Sequence, residues 1–151
     1  MISIALQIVL AYVAVDLATG LYHYATDRGW NFRRQVELFE LHHRAPKMDG
    51  FDWQPSLAAV PALVAGLWMG WPFLIAAGLF GVLAQVPHYW AHQGSSLPFV
   101  PWLQRTGIIM SAEHHARHHD GRFDSHFCIL SGWNNWWLDW LLARPNSHMG
   151  D

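Results

Sequence analysis

Ionised side chains are missing from the middle of this chain: no Asp, Glu, Lys or Arg stands between Asp52 and Arg105. A tract of that length without charge does not make the outer surface of an ordinary water-facing domain, and the reading it leaves is a chain solvated by lipid. Cysteine is almost absent as well. Cys128 is the only one, so an internal disulfide is excluded and no oxidising compartment is implied. It reads as a small buried apolar residue rather than a nucleophile. The positive n-region and small-residue cleavage site of a secretory signal are also lacking, which leaves residues 1–22 as a retained helix. The net charge of −2 gives no reason to invoke nucleic acid, and none is expected as a partner. No flavin, haem or iron–sulfur motif is found, so electrons for any redox chemistry must come from outside.

What the chain has instead is apolar length, tryptophan and histidine. Ten tryptophans flank the uncharged tracts, as amphipathic rings do at a membrane–water interface. Residues 1–24 form a first span, since a helix of that length covers the ~30 Å hydrocarbon core. Residues 56–86 would run ~45 Å as one helix, too long for one crossing. A break is therefore expected at Trp68-Met69-Gly70-Trp71-Pro72, giving a helical hairpin with arms 55–69 and 72–92. Gly66, Gly70, Gly78 and Gly81 are small enough to let helices approach closely, and Pro87 predicts a kink or a fresh helix start. Residues 35–44 (stopped by Pro46), 104–119 and 134–142 read as interfacial helices, the last bearing Trp136, Trp137 and Trp140. Residues 122–131 read as a short extended piece and 143–151 as a loose tail. The fold class is thus all-α: an integral-membrane bundle of about three transmembrane helices with cytoplasmic interfacial helices, in one domain over 1–151. With the first span ending inside, all nine Lys and Arg share the face that the positive-inside rule names cytoplasmic, as at a bacterial inner membrane.

Histidine carries the chemistry. In Ser111-Ala112-Glu113-His114-His115-Ala116-Arg117-His118-His119, a helix sets His114 over His118 and His115 over His119. Two imidazoles one turn apart can chelate one ion or bridge two. His88 and His92 repeat the spacing, and His42-His43 form an adjacent pair. In the first span, Asp16, Gly20, His23 and Asp27 fall on one stripe. His23 and Asp27 are a turn apart and could share an ion. Asp16, a carboxylate inside an apolar run, is a functional candidate by default, cast here as an acceptor for a metal ligand on another helix. Each cluster alone could be an exposed histidine-rich face. Together, His23, His42, His43, His88, His92, His114, His115, His118 and His119 with Asp27 exceed what one zinc site uses and suit two ions with open positions. Imidazole serves Zn, Cu, Fe and Ni alike, so ligand type does not choose the metal. His148, in the tail, is not expected to be a ligand.

The ordered boxes Asp16-x-x-x-Gly20-x-x-His23-x-x-x-Asp27, His42-His43, His88-x-x-x-His92, Leu103-Gln104, His114-His115-x-x-His118-His119 and Phe127-Cys128-Ile129-x-x-Gly132-Trp133-x-Asn135 resemble the lipid desaturase family, over most of the chain from Asp16 to Leu142. The resemblance implies a non-haem di-iron oxidoreductase that uses O2 and two electrons to place a double bond in a lipid chain, with plasmanyl-to-plasmenyl vinyl-ether formation favoured. It implies two Fe ions held by the nine histidines, with Asp27 a ligand or near neighbour and Asn135 orienting a water. Expected partners are a membrane phospholipid or ether lipid, O2, and an external electron donor of cytochrome b5 or ferredoxin type. Arg33, Arg34, Arg44 and Arg105 are available to a lipid phosphate. Phe123 stands where a further histidine is common and His126 where an aromatic is usual, so either His126 substitutes as a ligand or the site does with fewer. The alternatives are a His-box membrane lipid hydroxylase and a non-enzymatic membrane metal-binding protein.

Overall fold

The computed structural model describes residues 2–30, 33–44, 54–120 and 123–142. The expected helix stop at Pro46, the start of the extended piece at Arg122 and the tail with His148 lie outside them. Among the described residues the regular elements are all helices: α1 (Ile4–Asp27), α2 (Arg33–Arg44), α3 (Gln54–Leu57), α4 (Val60–Met69), α5 (Pro72–Leu83), α6 (Gln85–Gln93), α7 (Val100–Arg105), α8 (Ala112–His119) and α9 (Asn135–Leu142). The Ser3 hydroxyl starts α1 by accepting the Leu6 N–H, which satisfies one of the orphan donors of a first turn. Its 24 residues give ~36 Å of helix.

Two helices are long and apolar enough to cross a membrane, Ile4–Asp27 and the α5–α6 unit Pro72–Gln93. The third expected span, Pro55–Met69, is apolar but shorter, ~22 Å along its axis against a ~30 Å core. The hairpin break falls where expected. Gly70 closes α4 in the left-handed conformation at φ +62°, which glycine adopts without strain, and Pro72 opens α5, where its missing N–H costs nothing. A Cβ on Gly78 would stand 2.5 Å from Leu63 Cα, and one on Gly66 2.5 Å from the Ile75 nitrogen, so these glycines do let the arms touch. Gly70 does not belong with them: it has no neighbour within 4 Å and serves the turn alone.

Two further expectations change. The helix predicted over 104–119 is two helices, because Gly107 turns the chain at φ +71° between α7 and α8. The extended piece over 122–131 forms no strand among the described residues. It is an irregular segment in which Phe123 and His126 hold positive φ (52° and 59°), a conformation rare outside glycine. This segment climbs α1 in the opposite direction. Phe127 faces His23, Ile129 meets Thr19, Ser131 and Asn134 meet Asp16, and Trp133 meets Tyr12. Gly20 makes the approach possible, since a Cβ there would lie 2.5 Å from Cys128 Sγ and 2.9 Å from Leu138 Cδ1. Cys128 is fully buried, as a small apolar residue should be. The predicted stripe of α1 from Asp16 to Asp27 is therefore protein-facing, while Ile4, Leu6, Val9, Leu10 and Leu21 remain exposed.

Candidate metal centre

Four helices converge where the α1 stripe ends. α2 returns along α1, tied by the Tyr22 hydroxyl donating to Gln35 Oε1 (3.1 Å), and delivers His42 and His43. α6 brings His88 and His92. Its start is loosened because Pro87 has no N–H to give, and the break at Ala84 frees the Gln85 side chain to accept from His88 Nδ1 at 3.0 Å. α8 is capped by Ser111 Oγ, which accepts the His114 N–H at 3.1 Å. It carries four of the histidines in eight residues.

The ligating atoms gather into two groups: His42, His88, His92 and His115 in one, and His23, Asp27, His43 and His118 in the other, with the atoms of each within 4.8 Å of one another. His119 joins the first, its Nε2 lying 3.0 Å from His115 Nε2. The groups abut, with ring centroids 6.2 Å apart for His23–His88 and 6.0 Å for His115–His118.

Hydrogen bonding does not explain this crowding. His115 Nε2 lies 3.0, 2.8 and 3.0 Å from the Nε2 atoms of His88, His92 and His119, and one ring nitrogen can give or take only one hydrogen. Moreover, three rings have their other nitrogen committed as donor: His23 Nδ1 to the Phe127 carbonyl (3.0 Å), His118 Nδ1 to the Ser125 carbonyl (2.7 Å) and His88 Nδ1 to Gln85. Those tautomers turn lone pairs, not N–H groups, toward the centre. Nitrogen ligands on a common ion at ~2.0–2.1 Å stand about 2.9–3.4 Å from each other, and the observed Nε2 separations match. The Asp27 carboxylate points the same way. Both its oxygens are buried with no hydrogen-bond donor among the described residues, the nearer oxygen in each case lying 3.5 Å from His43 Nε2 and His118 Nε2 and 3.8 Å from His23 Nε2. An ionised carboxylate among imidazole lone pairs is a set of donors that a cation would satisfy. The residues present fit two metal ions.

Burial also keeps the ligands outside the spans in the form a metal needs. Desolvation, then repulsion from neighbouring imidazolium, pushes His43 down to about 4. Desolvation takes His118 to about 3 against the opposing pull of the Ser125 carbonyl, and His42, His115 and His119 shift the same way for the same first reason. All are neutral at pH 7, with their lone pairs available.

Eight of the nine predicted histidines thus meet, with Asp27. His114 is set apart. Asn135 Oδ1 accepts the Cys128 N–H (2.9 Å), so its Nδ2 is the donor to His114 Nε2 at 2.7 Å, and that lone pair is spent. The His115/His119 row stays together, while the His114/His118 row splits between Asn135 and the Asp27 group. Asn135 has both ends of its amide engaged by protein, not directed at either group. Asp16 is likewise one step further back than expected: its partners are the N–H groups of Ser131, Gly132 and Asn134 and the Asn134 side chain, at 2.8–3.0 Å, rather than an imidazole. Four charge-assisted bonds of about 1.5–3 kcal/mol each offset its desolvation. His126 sits outside both groups, its backbone N–H on Asp139 Oδ1 (2.8 Å) and its Nδ1 on Ser125 Oγ (2.9 Å). Phe123 lies flat on His43, centroids 4.0 Å apart, so the position where a further histidine is common supplies a wall.

Sequence reasoning missed Gln85, Thr19, Asn134 and the carbonyls of Ser125 and Phe127. Gln85 sits one turn before His88 and was legible in principle. The carbonyls carried no signal, because every residue has one. A cleft of about 330 Å3 opens between α6 and α8, lined by Ala91, Ala112 and Ala116, by His92, His115 and His119, and by Asp120.

Residues 12–143 match the family described as the lipid desaturase domain. The chain is 29% identical over 143 residues to chloroplastic fatty acid desaturase 4 of Arabidopsis thaliana, covering 82% of this chain and 44% of that protein. It is 28% identical over 150 residues to plasmanylethanolamine desaturase of Myxococcus xanthus, covering 85% and 53%, and 34% identical over 68 residues to mouse plasmanylethanolamine desaturase 1, covering 44% and 25%. The chain spans about half the length of the first two. No solved structure matches it significantly.

Proposed function

Because the chain belongs to the lipid desaturase family, we propose that it is a membrane-embedded oxidoreductase that introduces a carbon–carbon double bond into a lipid chain with two non-haem iron ions. The observation that carries this reading is the pair of adjoining four-ligand groups, one His42/His88/His92/His115 with His119 beside it, the other His23/Asp27/His43/His118. Bound there, the irons would supply the oxidising chemistry with O2 that side-chain acids and bases cannot, since an unactivated C–H bond has no proton they could remove. The balance is a saturated –CH2–CH2– unit, O2, two electrons and two protons giving –CH=CH– and two waters. The electrons come from an external one-electron donor of cytochrome b5 or ferredoxin type.

The protein's part is to hold and exclude. Gln85 and the Ser125 and Phe127 carbonyls fix the tautomers of His88, His118 and His23, so the ligands are set before an ion arrives. The cleft over His92, His115 and His119 has alanine walls suited to a methylene chain. Arg33, Arg34, Arg44 and Arg105 are the cations for a phosphate. In this reading the hairpin completes three spans, and the centre lies at the cytoplasmic face. The substrate favoured is an alkyl ether lipid, giving a vinyl ether, as the name of the Myxococcus relative describes for that protein.

Lipid profiling of cells with and without the gene tests the reading. The expected result is a lipid lighter by two hydrogens, and acid-labile if the product is a vinyl ether. Gain of one oxygen would make the chain a hydroxylase instead. Identical lipids in both cells would remove the enzymatic reading altogether.

A further inference from the structure

The segment that climbs α1 is anchored at one end and used at the other. At the upper end, Asp16 Oδ1 accepts the N–H groups of Ser131 (2.8 Å) and Gly132 (3.0 Å), and Oδ2 accepts the backbone and side-chain N–H groups of Asn134 (3.0 Å each). Four donors meet four lone pairs, which only a carboxylate offers in that space. In the middle, Thr19 Oγ1 accepts the Ile129 N–H at 3.4 Å, and Gly20 leaves room for Cys128. At the lower end, the Phe127 and Ser125 carbonyls take the Nδ1–H of His23 and His118. Both of those rings belong to the Asp27 group and neither to the His115 group.

We propose that Asp16 is a positioning residue for the Asp27 metal group alone. By pinning 131–134 it holds two backbone carbonyls at the depth where they turn the Nε2 lone pairs of His23 and His118 toward one ion. Asp16 touches no ligand. It acts through about seven residues of chain, along α1, over the distance from Asp16 to His23, ~10 Å of helix axis. The geometry makes the effect selective, because His88 in the other group takes its orientation from Gln85 on its own helix. The proposal rests on the two-ion reading above and extends it to a residue remote from both ions.

The test is metal binding by the purified full chain in detergent micelles, with Co(II) as the probe and its absorption as the readout. The wild-type chain should bind two ions, and Asp27→Asn identifies which absorption belongs to the Asp27 group. Asp16→Asn turns an amide NH2 toward the two Asn134 donors. It should weaken that ion about 10–100-fold, the range for groups that orient a ligand, and leave the other ion's affinity unchanged. Asn134→Ala, which removes one donor of the four and adds no charge, should weaken the same ion less. If Asp16→Asn does not fold, Asn134→Ala decides alone by the same criterion. Wild-type affinity at both sites in the variants, or equal loss at both, overturns the proposal. A wild-type chain that binds fewer than two ions overturns the two-ion reading itself, a result separable from failure of the Asp16 step.

Discussion

Around Asp27, two imidazoles hand their Nδ1–H to backbone carbonyls, a carboxylate sits among them, and the side chains of His23, Asp27 and His118 are 2%, 3% and 0% exposed. Around His115, the tautomer of His88 is set by a side chain, Gln85, and the Nδ1 atoms of His115 and His119 meet no acceptor among the described residues. That second group includes no carboxylate, and its His92, His115 and His119 line the cleft. The same four helices, burying the two groups to a like degree, have built one set clamped by backbone carbonyls that carries a carboxylate and one set of imidazoles alone that is open to a cleft. A carboxylate cancels part of an ion's charge, whereas imidazoles leave it whole. The Asp27 group is thus suited to hold an ion in place. The His115 group is suited to an ion that keeps positions for ligands from outside, where a lipid chain in the cleft could reach it.

The comparison breaks hardest at His115. Its Nε2 lies within 3.0 Å of three other ligand nitrogens, so His115→Ala should remove the open ion and abolish product formation while the Asp27 ion stays; iron per chain, measured on purified protein, should fall from two to one. Asp27→Asn is the converse. Removing one member of a buried charge pair costs about 3–5 kcal/mol, so the clamped ion should bind roughly 200- to 5,000-fold more weakly with the open ion retained. Loss of both ions in either variant would mean that the groups are one site.

The parts legible in the sequence were those that rest on side-chain type and helical period. Asp16, Gly20, His23 and Asp27 at their spacing gave the inner face of α1, Gly70 and Pro72 gave the hairpin turn, and the paired histidines gave seven of the eight imidazoles that meet, His23 being the eighth. What the sequence hid was the work of backbone in irregular chain. Nothing in Phe123-Asp124-Ser125-His126-Phe127 announces two residues at positive φ or two carbonyls aimed at imidazoles. Periodicity has no purchase there, because no element repeats. The His114/His118 row failed as a row for a related reason: helix geometry places two rings side by side, but their partners on other elements decide where each nitrogen points.

Smaller effects sharpen the contrast. Gln85→Leu removes the acceptor that holds His88 without touching a ligand, and should weaken the open ion about 10–100-fold while sparing the Asp27 ion. The smallest effect is expected at a residue that looks identical to its neighbours. His114→Ala takes away the acceptor for Asn135 Nδ2 and leaves that amide half satisfied. The cost should appear as about 1–3 kcal/mol of stability, the penalty for a buried polar group without a partner, read from thermal unfolding in micelles. Both ions should remain, because His114 lies in neither group. His118→Ala, one turn along the same helix, should lose the clamped ion. A His114→Ala chain that lost an ion would show that Asn135 does not hold the ring as its 2.7 Å contact implies, and that the row of two is a row after all.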